Sequence, residues 1–281
     1  MIVNLIGCRG HYYYLFDSLA ALPDLNLSAI CSATDHDDEK IILERAAKYQ
    51  CTPKVYSDYL QMLDTEKPAI VVISGPFELH SEMCIEALKR NIHIFCEKPL
   101  ALTLEDLAKL ENAWAKSNAQ ICAMLPYRYE PVFIEAHKSI KKGLLGKVKL
   151  IQAQKSYKLG KRPDYYHKRA TYGGTLPWVG SHAFDWIQWM AEESEIRKIW
   201  ACQNAEDNGN NGEMEIVAQC QMELQNGVIA SVSTDYLRPG TAESHGDDRI
   251  RVAGTKGGLG IRDNKMFIIN DDGTKEIITE K

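Results

Sequence analysis

The sequence predicts an α/β protein, in which an N-terminal Rossmann-type, doubly wound parallel sheet precedes an α+β domain with a mostly antiparallel, open-faced sheet. Up to about residue 125, short apolar runs without period-two alternation are separated by helical patterns, which is typical of parallel strands buried on both faces. A glycine turn follows the first of these runs. Farther on, β-rich runs are joined by hairpin signals such as Asn226-Gly227. We expect a dinucleotide-binding domain at 1–123 and a substrate-binding and oligomerisation domain at 124–281.

Each element of the first domain follows from its local pattern. The predicted strands are the apolar runs Ile2–Ile6, Leu27–Cys31, Ala69–Ser74, Ile92–Cys96 and Gln120–Leu125. The predicted helices lie between them, at about 11–22, 38–49, 57–64, 79–90 and 103–117. Thr103 with Asp106 has capping-box spacing, and Ser57 is a second candidate N-cap.

The second domain has a different order of elements. We expect helices at 131–143 and 182–191, and a long strand at 147–157. The remaining predicted strands are 196–203, 214–224, 228–236, 248–253, 258–262 and 265–269.

Composition excludes several classes of protein. The 281 residues are 45% hydrophobic and 25% charged with a net charge of −5, which argues against a nucleic-acid or anionic-membrane partner. The sequence has no apolar run long enough to span a membrane, and its start does not resemble a signal peptide. The eight cysteines form no C-x-x-C pair, so we expect reduced thiols and a cytoplasmic location.

The glycine turn lies where a dinucleotide phosphate loop belongs, between the first strand and the first helix. It reads Gly7-Cys8-Arg9-Gly10-His11 and matches G-x-G-x-x-G only in part, because Arg9 and Tyr12 occupy the second and third glycine positions. The second strand ends near Ser32 rather than at an acidic residue, and Asp35 follows in the next loop. NAD and NADP both remain open, because without an acidic residue at Ser32 the Arg9 side chain would also suit the 2′-phosphate of NADP.

Glu97-Lys98-Pro99 follows a buried strand, at the end of the sheet where open α/β proteins bind ligands. The Lys98 ammonium is suited to donating a hydrogen bond to a substrate hydroxyl or to exchanging a proton. Pro99 stiffens the turn. The alternative is a surface Glu-Lys pair beside a helix start.

A second candidate constellation runs from Tyr172 to Asp185. Its glycines allow a loop to approach a ligand, and His182 lies in the first turn of a helix, where the dipole favours a neutral imidazole that accepts protons. The alternative is a structural histidine held by Asp185. His167 is near in sequence, but no tight ligand spacing supports a metal site, so we predict none.

Together these motifs resemble the glucose–fructose oxidoreductase/inositol dehydrogenase/rhizopine catabolism (Gfo/Idh/MocA) family of NAD(P)-dependent oxidoreductases. The resemblance is carried by Glu97-Lys98-Pro99, the glycine turn, Ser74-Gly75-Pro76-x-x-x-His80 and Gly180-x-His182-x-x-Asp185. It extends through Tyr127-Arg128-Tyr129, Gly143-x-x-Gly146-Lys147-Val148 and 251–258, and so covers almost the whole chain.

The resemblance implies a dehydrogenase that transfers a hydride between nicotinamide and a hydroxyl-bearing carbon of a sugar, cyclitol or related polyol. Lys98 would orient the reacting oxygen, and His182 would be the acid/base. The cofactor-binding residues it implies are Gly7, Cys8, Arg9, Gly10, His11, Ser32, Gly75, Pro76, His80, Glu97, Lys98 and Arg128. The substrate-binding residues are Lys98, Tyr157, Tyr165, Trp178 and His182.

The chain departs from the family pattern at Trp178, where many members carry an aspartate four residues before the histidine. An indole packs against a sugar face and donates one hydrogen bond, but it cannot act as a carboxylate. The alternative function is therefore a non-catalytic sugar- or nucleotide-sensing regulatory protein on the same fold. The resemblance also implies a homodimer or homotetramer.

Overall fold

A computed structural model describes residues 1–33, 39–271 and 273–277 of the chain. It divides into two compact units. Unit 1 comprises residues 1–124 with 170–173, and unit 2 comprises 125–169 with 174–281. Residues 170–173 thus belong with unit 1, although they lie far along the sequence from the rest of it.

Unit 1 is a Rossmann-type sheet of six parallel strands. Its order is β3-β2-β1-β4-β5-β6, so the strand order reverses between β1 and β4. The strands are β1 (Ile2–Ile6), β2 (Asn26–Cys31), β3 (Lys54–Tyr56), β4 (Ile70–Ile73), β5 (His93–Cys96) and β6 (Ile121–Ala123). The helices are α1 (Tyr13–Ala21), α2 (Glu39–Lys48), α3 (Tyr59–Glu66), α4 (His80–Lys89) and α5 (Leu104–Trp114).

Unit 2 contains an eight-stranded sheet of order β14-β13-β12-β11-β7-β10-β9-β8. Every pair is antiparallel except β7 with β10. The strands are β7 (Val148–Tyr157), β8 (Ile196–Asn204), β9 (Val217–Leu224), β10 (Ile229–Asp235), β11 (Gly246–Gly254), β12 (Gly257–Arg262), β13 (Lys265–Asn270) and β14 (Gly273–Ile277). The helices are α6 (Pro131–Lys141), the one-turn α7 (Arg169–Tyr172), which crosses the division between the units, and α8 (Ser181–Met190).

The predicted fold class is confirmed, because a parallel Rossmann sheet is followed by a mostly antiparallel one. In unit 1 the apolar strands are buried between helices on both faces, as the continuous apolar runs predict. In unit 2 the core lies between α6, α8 and one face of the large sheet. Within the described residues, every helix is too short or too polar to cross a membrane.

Candidate functional site

The loops that follow β1 and β4 touch at the point where the strand order reverses. Gly7 has φ +75°, and a Cβ there would lie 2.5 Å from the Cα of Gly75, so only glycine fits. The Arg9 amide donates to the carbonyl of Ser74 at 2.7 Å. The two loops therefore form one backbone surface at the carboxyl edge of the sheet, the usual ligand position in such folds.

Glu97 joins the glycine loop to the turn after β5. Its Oε2 accepts from the His11 amide at 2.5 Å and lies 2.7 Å from His11 Nδ1, while Oε1 accepts from the Lys98 amide at 3.0 Å. Any side chain at Gly10 would collide with this carboxylate. Burial acts to raise the pKa of Glu97, but the Lys98 charge and the His11 bonds outweigh it, so the pKa is lowered.

The surface-pair interpretation of Glu97 and Lys98 is wrong. Glu97 is fully buried, Lys98 is 4% exposed, and Lys98 Nζ lies 3.6 Å from Glu97 Oε1. A lysine buried beside its carboxylate at the end of a parallel strand is typical of a functional site, since neither charge is there for solubility.

His80 connects two of these loops. It is fully buried at the start of α4, with Nδ1 2.9 Å from the carbonyl oxygen of Pro99 and Nε2 3.1 Å from that of Gly75. Burial lowers its pKa, although both carbonyls act in the opposite direction. Both ring nitrogens of His80 thus contact backbone carbonyls, so the side chain fixes the loop of Gly75 and Pro76 against the turn after β5. The Lys98–Pro99 peptide bond is cis.

An acidic side chain does lie at the end of β2, although the strand itself does not supply it. Ser32 Oγ donates to Glu39 Oε1 at 3.2 Å, and Glu39 is the first residue of α2. Asp35, the acidic residue considered from sequence, lies outside the described residues. Glu39 could not be identified from the sequence, because its position depends on where α2 begins.

These residues fit a dinucleotide. The glycine loop has no side chain at Gly7, where it touches the backbone of Gly75, or at Gly10, where it touches Glu97. The first turn of α1 carries no acidic residue. Such a helix start offers amides and a positive dipole end to a pyrophosphate. Ser32 and Glu39 lie where a ribose is bound in such folds. The structure thus brings together Gly7, Cys8, Arg9, Gly10, His11, Gly75, Glu97 and Lys98 within unit 1.

His182 lies in unit 2, in the first turn of α8. A π-helical turn, Leu176–Gly180, leads into this helix and buries Trp178 against Tyr166 with 6.0 Å between ring centroids. His182 is 5% exposed, and its ring meets Tyr127 edge-on at 5.3 Å. The imidazole is thus held in place by packing.

Beneath Tyr127 lies a charged cluster that the sequence interpretation missed. Lys155 is fully buried, and its Nζ donates to Asp248 Oδ2 at 2.6 Å and to the Tyr127 hydroxyl at 2.8 Å. Tyr127 also donates to Asp248. The signal was present: Ile151, Ala153 and Lys155 alternate along β7 and all face the core.

Arg128 has partners within unit 2. Its guanidinium donates to Asp185 at 2.7 Å and to Glu193 at 2.6 Å. Burial raises the pKa of Asp185, although Arg128 opposes the shift. The structure thus gives Asp185 a partner in Arg128, and the predicted role of Arg128 in cofactor binding stays a prediction.

The two predicted substrate tyrosines lie in aromatic clusters of unit 2. Tyr157 stacks on His245 at 5.1 Å, and Tyr165 packs on Tyr166 at 4.7 Å. In the part of the chain that the structure describes, no three His, Cys, Asp or Glu side chains group as metal ligands would.

Two family models match the chain. The model "Oxidoreductase family, NAD-binding Rossmann fold" matches residues 2–124, and the model "GFO/IDH/MocA C-terminal domain" matches residues 133–260. Together they cover most of the chain.

Curated relatives include inositol dehydrogenases. Inositol 2-dehydrogenase of Salmonella typhimurium is 26% identical over 147 residues, which are 52% of this chain and 42% of that protein. Myo-inositol 2-dehydrogenase of Thermotoga maritima is 22% identical over 79% of this chain and 66% of its own length. The chain therefore spans less than half of the first of these relatives.

Solved structures share the fold over the full chain. A Thermotoga maritima protein assigned as an oxidoreductase superposes with a TM-score of 0.95 at 38% identity, covering 100% of this chain and 86% of its own. Levoglucosan dehydrogenase in complex with NADH has a TM-score of 0.86 at 20% identity, over 99% of this chain and 80% of its own, which shows likeness of fold alone.

Proposed function

Because this chain belongs to the GFO/IDH/MocA family of oxidoreductases, we propose that it is a nicotinamide-dependent dehydrogenase of sugar, cyclitol or related polyol hydroxyls. The observation that carries the proposal is the buried Glu97–Lys98 pair beside the glycine loop. The inositol dehydrogenases among the relatives support a polyol substrate.

The cofactor would be held by the loop from Gly7 to His11, by Gly75 and Pro76, and by Ser32 with Glu39. When bound, it supplies the hydride-accepting carbon, while the chain supplies binding, orientation and proton handling. The Glu39 carboxylate would favour NAD over NADP, because it would accept a hydrogen bond from a ribose hydroxyl and repel a 2′-phosphate.

Lys98 would donate a hydrogen bond to the reacting oxygen and stabilise the negative charge that develops there. Its ammonium is suited to this role because Glu97 Oε1, 3.6 Å from Nζ, limits its movement. His182 would take the hydroxyl proton during oxidation and return it during reduction. Tyr127 holds the imidazole in place by ring contact.

We expect reduced-nicotinamide fluorescence to change on titration with the protein, with a dissociation constant in the micromolar range. With a polyol substrate, Lys98→Ala should lower kcat by roughly 100-fold or more, since the oxyanion loses its charged donor. NADH binding by the variant is measured separately, because Lys98 is also an expected cofactor-binding residue. Lys109→Ala, which removes an exposed lysine of α5, serves as the control.

Absence of any response to NADH or NADPH at millimolar concentration would overturn the dehydrogenase proposal. Full activity of Lys98→Ala would overturn the role of Lys98 alone. Tight binding of a sugar without any change in reduced-nicotinamide absorbance across a polyol panel would instead favour the sensor.

A further inference from the structure

The guanidinium of Arg162, in unit 2, lies over two aromatic rings. Its Cζ is 4.4 Å from the ring centroid of Tyr236 and 5.6 Å from that of Tyr166. A guanidinium held over aromatic rings is pre-organised, so less side-chain entropy is lost when it binds a ligand.

Hydrogen bonds occupy little of this guanidinium. One terminal nitrogen donates to the carbonyl of Lys158 at 3.0 Å, and Nε is buried without a partner. Among the described residues, Arg162 has no carboxylate within ion-pair distance, whereas the nearby Arg169, Arg238 and Arg249 each have one. A half-buried cation with unused donors carries a desolvation cost that a bound anion would offset.

Two basic side chains, Arg162 and Lys158, lie close enough to His245 to affect its pKa. Burial lowers the pKa of His245, and the nearby charges of Arg162 and Lys158 lower it further, while Asp248 acts in the opposite direction. The Lys158 amine donates a hydrogen bond to the carbonyl of Ala242. Because the Lys158 amine already has a partner, Arg162 would be the main donor to an anion placed here.

Ring contacts connect Arg162 to the region of His182. On one side, the ring centroids of Tyr236 and Tyr157 are 6.4 Å apart. The Lys155 ammonium lies over the Tyr157 ring and donates a hydrogen bond to the Tyr127 hydroxyl. Tyr127 in turn contacts His182. On the other side, Tyr166 meets Trp178, in the turn before α8. A chain of side-chain contacts within unit 2 thus links Arg162 to His182.

We propose that Arg162 binds an anionic group of the substrate, a carboxylate or a phosphate, so that the substrate class is a sugar acid or a sugar phosphate. This inference rests on the proposed function, which it deepens. The Arg162 guanidinium supplies a permanently charged donor that suits either anion.

The test compares three matched hexoses by calorimetric titration, each with and without saturating NADH. The probes are D-glucose, D-glucuronate and D-glucose 6-phosphate. We expect at least one charged hexose to bind roughly 10- to 100-fold more tightly than glucose, as a charged hydrogen bond implies. Arg162→Gln should abolish that preference, and Arg162→Lys should keep part of it. Lys161→Gln, which removes a neighbouring exposed charge, should keep all of it.

Preference for glucuronate identifies the carboxylate, and preference for glucose 6-phosphate identifies the phosphate. Equal binding of all three probes, no binding of any, or equal affinities in Arg162→Gln and Lys161→Gln would overturn the inference. Failure of NADH to bind would count against the dehydrogenase, while the Arg162-dependent preference measured without NADH still decides the anion site. If Arg162→Gln does not fold, as judged by tryptophan fluorescence, Arg162→Lys decides.

Discussion

Lys155 is a fully buried cation whose position depends on its partners. Burial lowers its pKa, and the hydrogen bond and charge of Asp248 oppose that shift. We expect Asp248→Asn to lower the free energy of unfolding by about 3 kcal/mol, because it leaves the ammonium buried without a counter-charge. Urea denaturation measures the change. Adding Lys155→Met should recover much of it, and equal stabilities of the single and double variants would contradict this explanation.

Glu39 is a second single residue with a measurable consequence. Its carboxylate accepts from Ser32 at the end of β2, where the adenosine ribose binds in Rossmann folds. We expect Glu39→Gln to weaken NADH binding and to strengthen NADPH binding, shifting the ratio of dissociation constants by roughly 10-fold. Fluorescence titration of both cofactors measures the ratio. Glu44→Gln, farther along α2, is the control, and an unchanged ratio in Glu39→Gln would rule out this selectivity.

At the scale of elements, His80 joins the loop after β4 to the turn after β5. Its folded-state pKa lies below its ordinary value of about 6.5, so its stabilising contribution is present above that pH and is lost as pH falls below it. We expect the free energy of unfolding to decrease from about pH 7 to 5, and to decrease less steeply in His80→Asn. Parallel pH profiles for the two proteins would contradict this.

The elements themselves were largely predictable from sequence, because most of them have their own apolar pattern or cap. Thr103 caps α5 through the Asp106 amide, as predicted. Ser57 is wrong as a cap, since Asp58 takes that role for α3. The short edge strand β3, Lys54–Tyr56, was missed because its three residues are exposed or half-buried and form no apolar run.

Site residues could be predicted from the sequence only where they belong to a recognisable motif. Lys98 follows a recognisable strand, and its burial then distinguishes it from a surface ion pair. No motif contains Lys155, Asp248 or Arg162. The contact between Lys155 and Asp248 joins β7 to β11, and Arg162 reaches from a loop to Tyr236. Such contacts depend on strand register and loop path, which a local pattern does not determine.

At the scale of the whole molecule, the large sheet of unit 2 has one face without the core helices. Trp200 of β8 is 61% exposed on this face. The residues paired across the neighbouring strands lie on the same face, and they are Gln221, Ser231, Gln152 and Arg251. The alternate residues, such as Met222, point into the core formed with α6 and α8. A broad sheet face that carries an exposed tryptophan is suited to pairing with a second copy of the chain.

We therefore expect a homodimer or homotetramer formed through this face. Light scattering should give a mass at least twice that of the 31.7 kDa chain. Trp200→Glu should reduce that mass, because it places a charge within the buried contact. Ile199→Glu is the matched control. Ile199 is 56% exposed, but it is paired with Met222 and therefore lies on the other face of the sheet from Trp200. A monomeric wild type, or equal dissociation of the two variants, would show that this sheet face is not the interface.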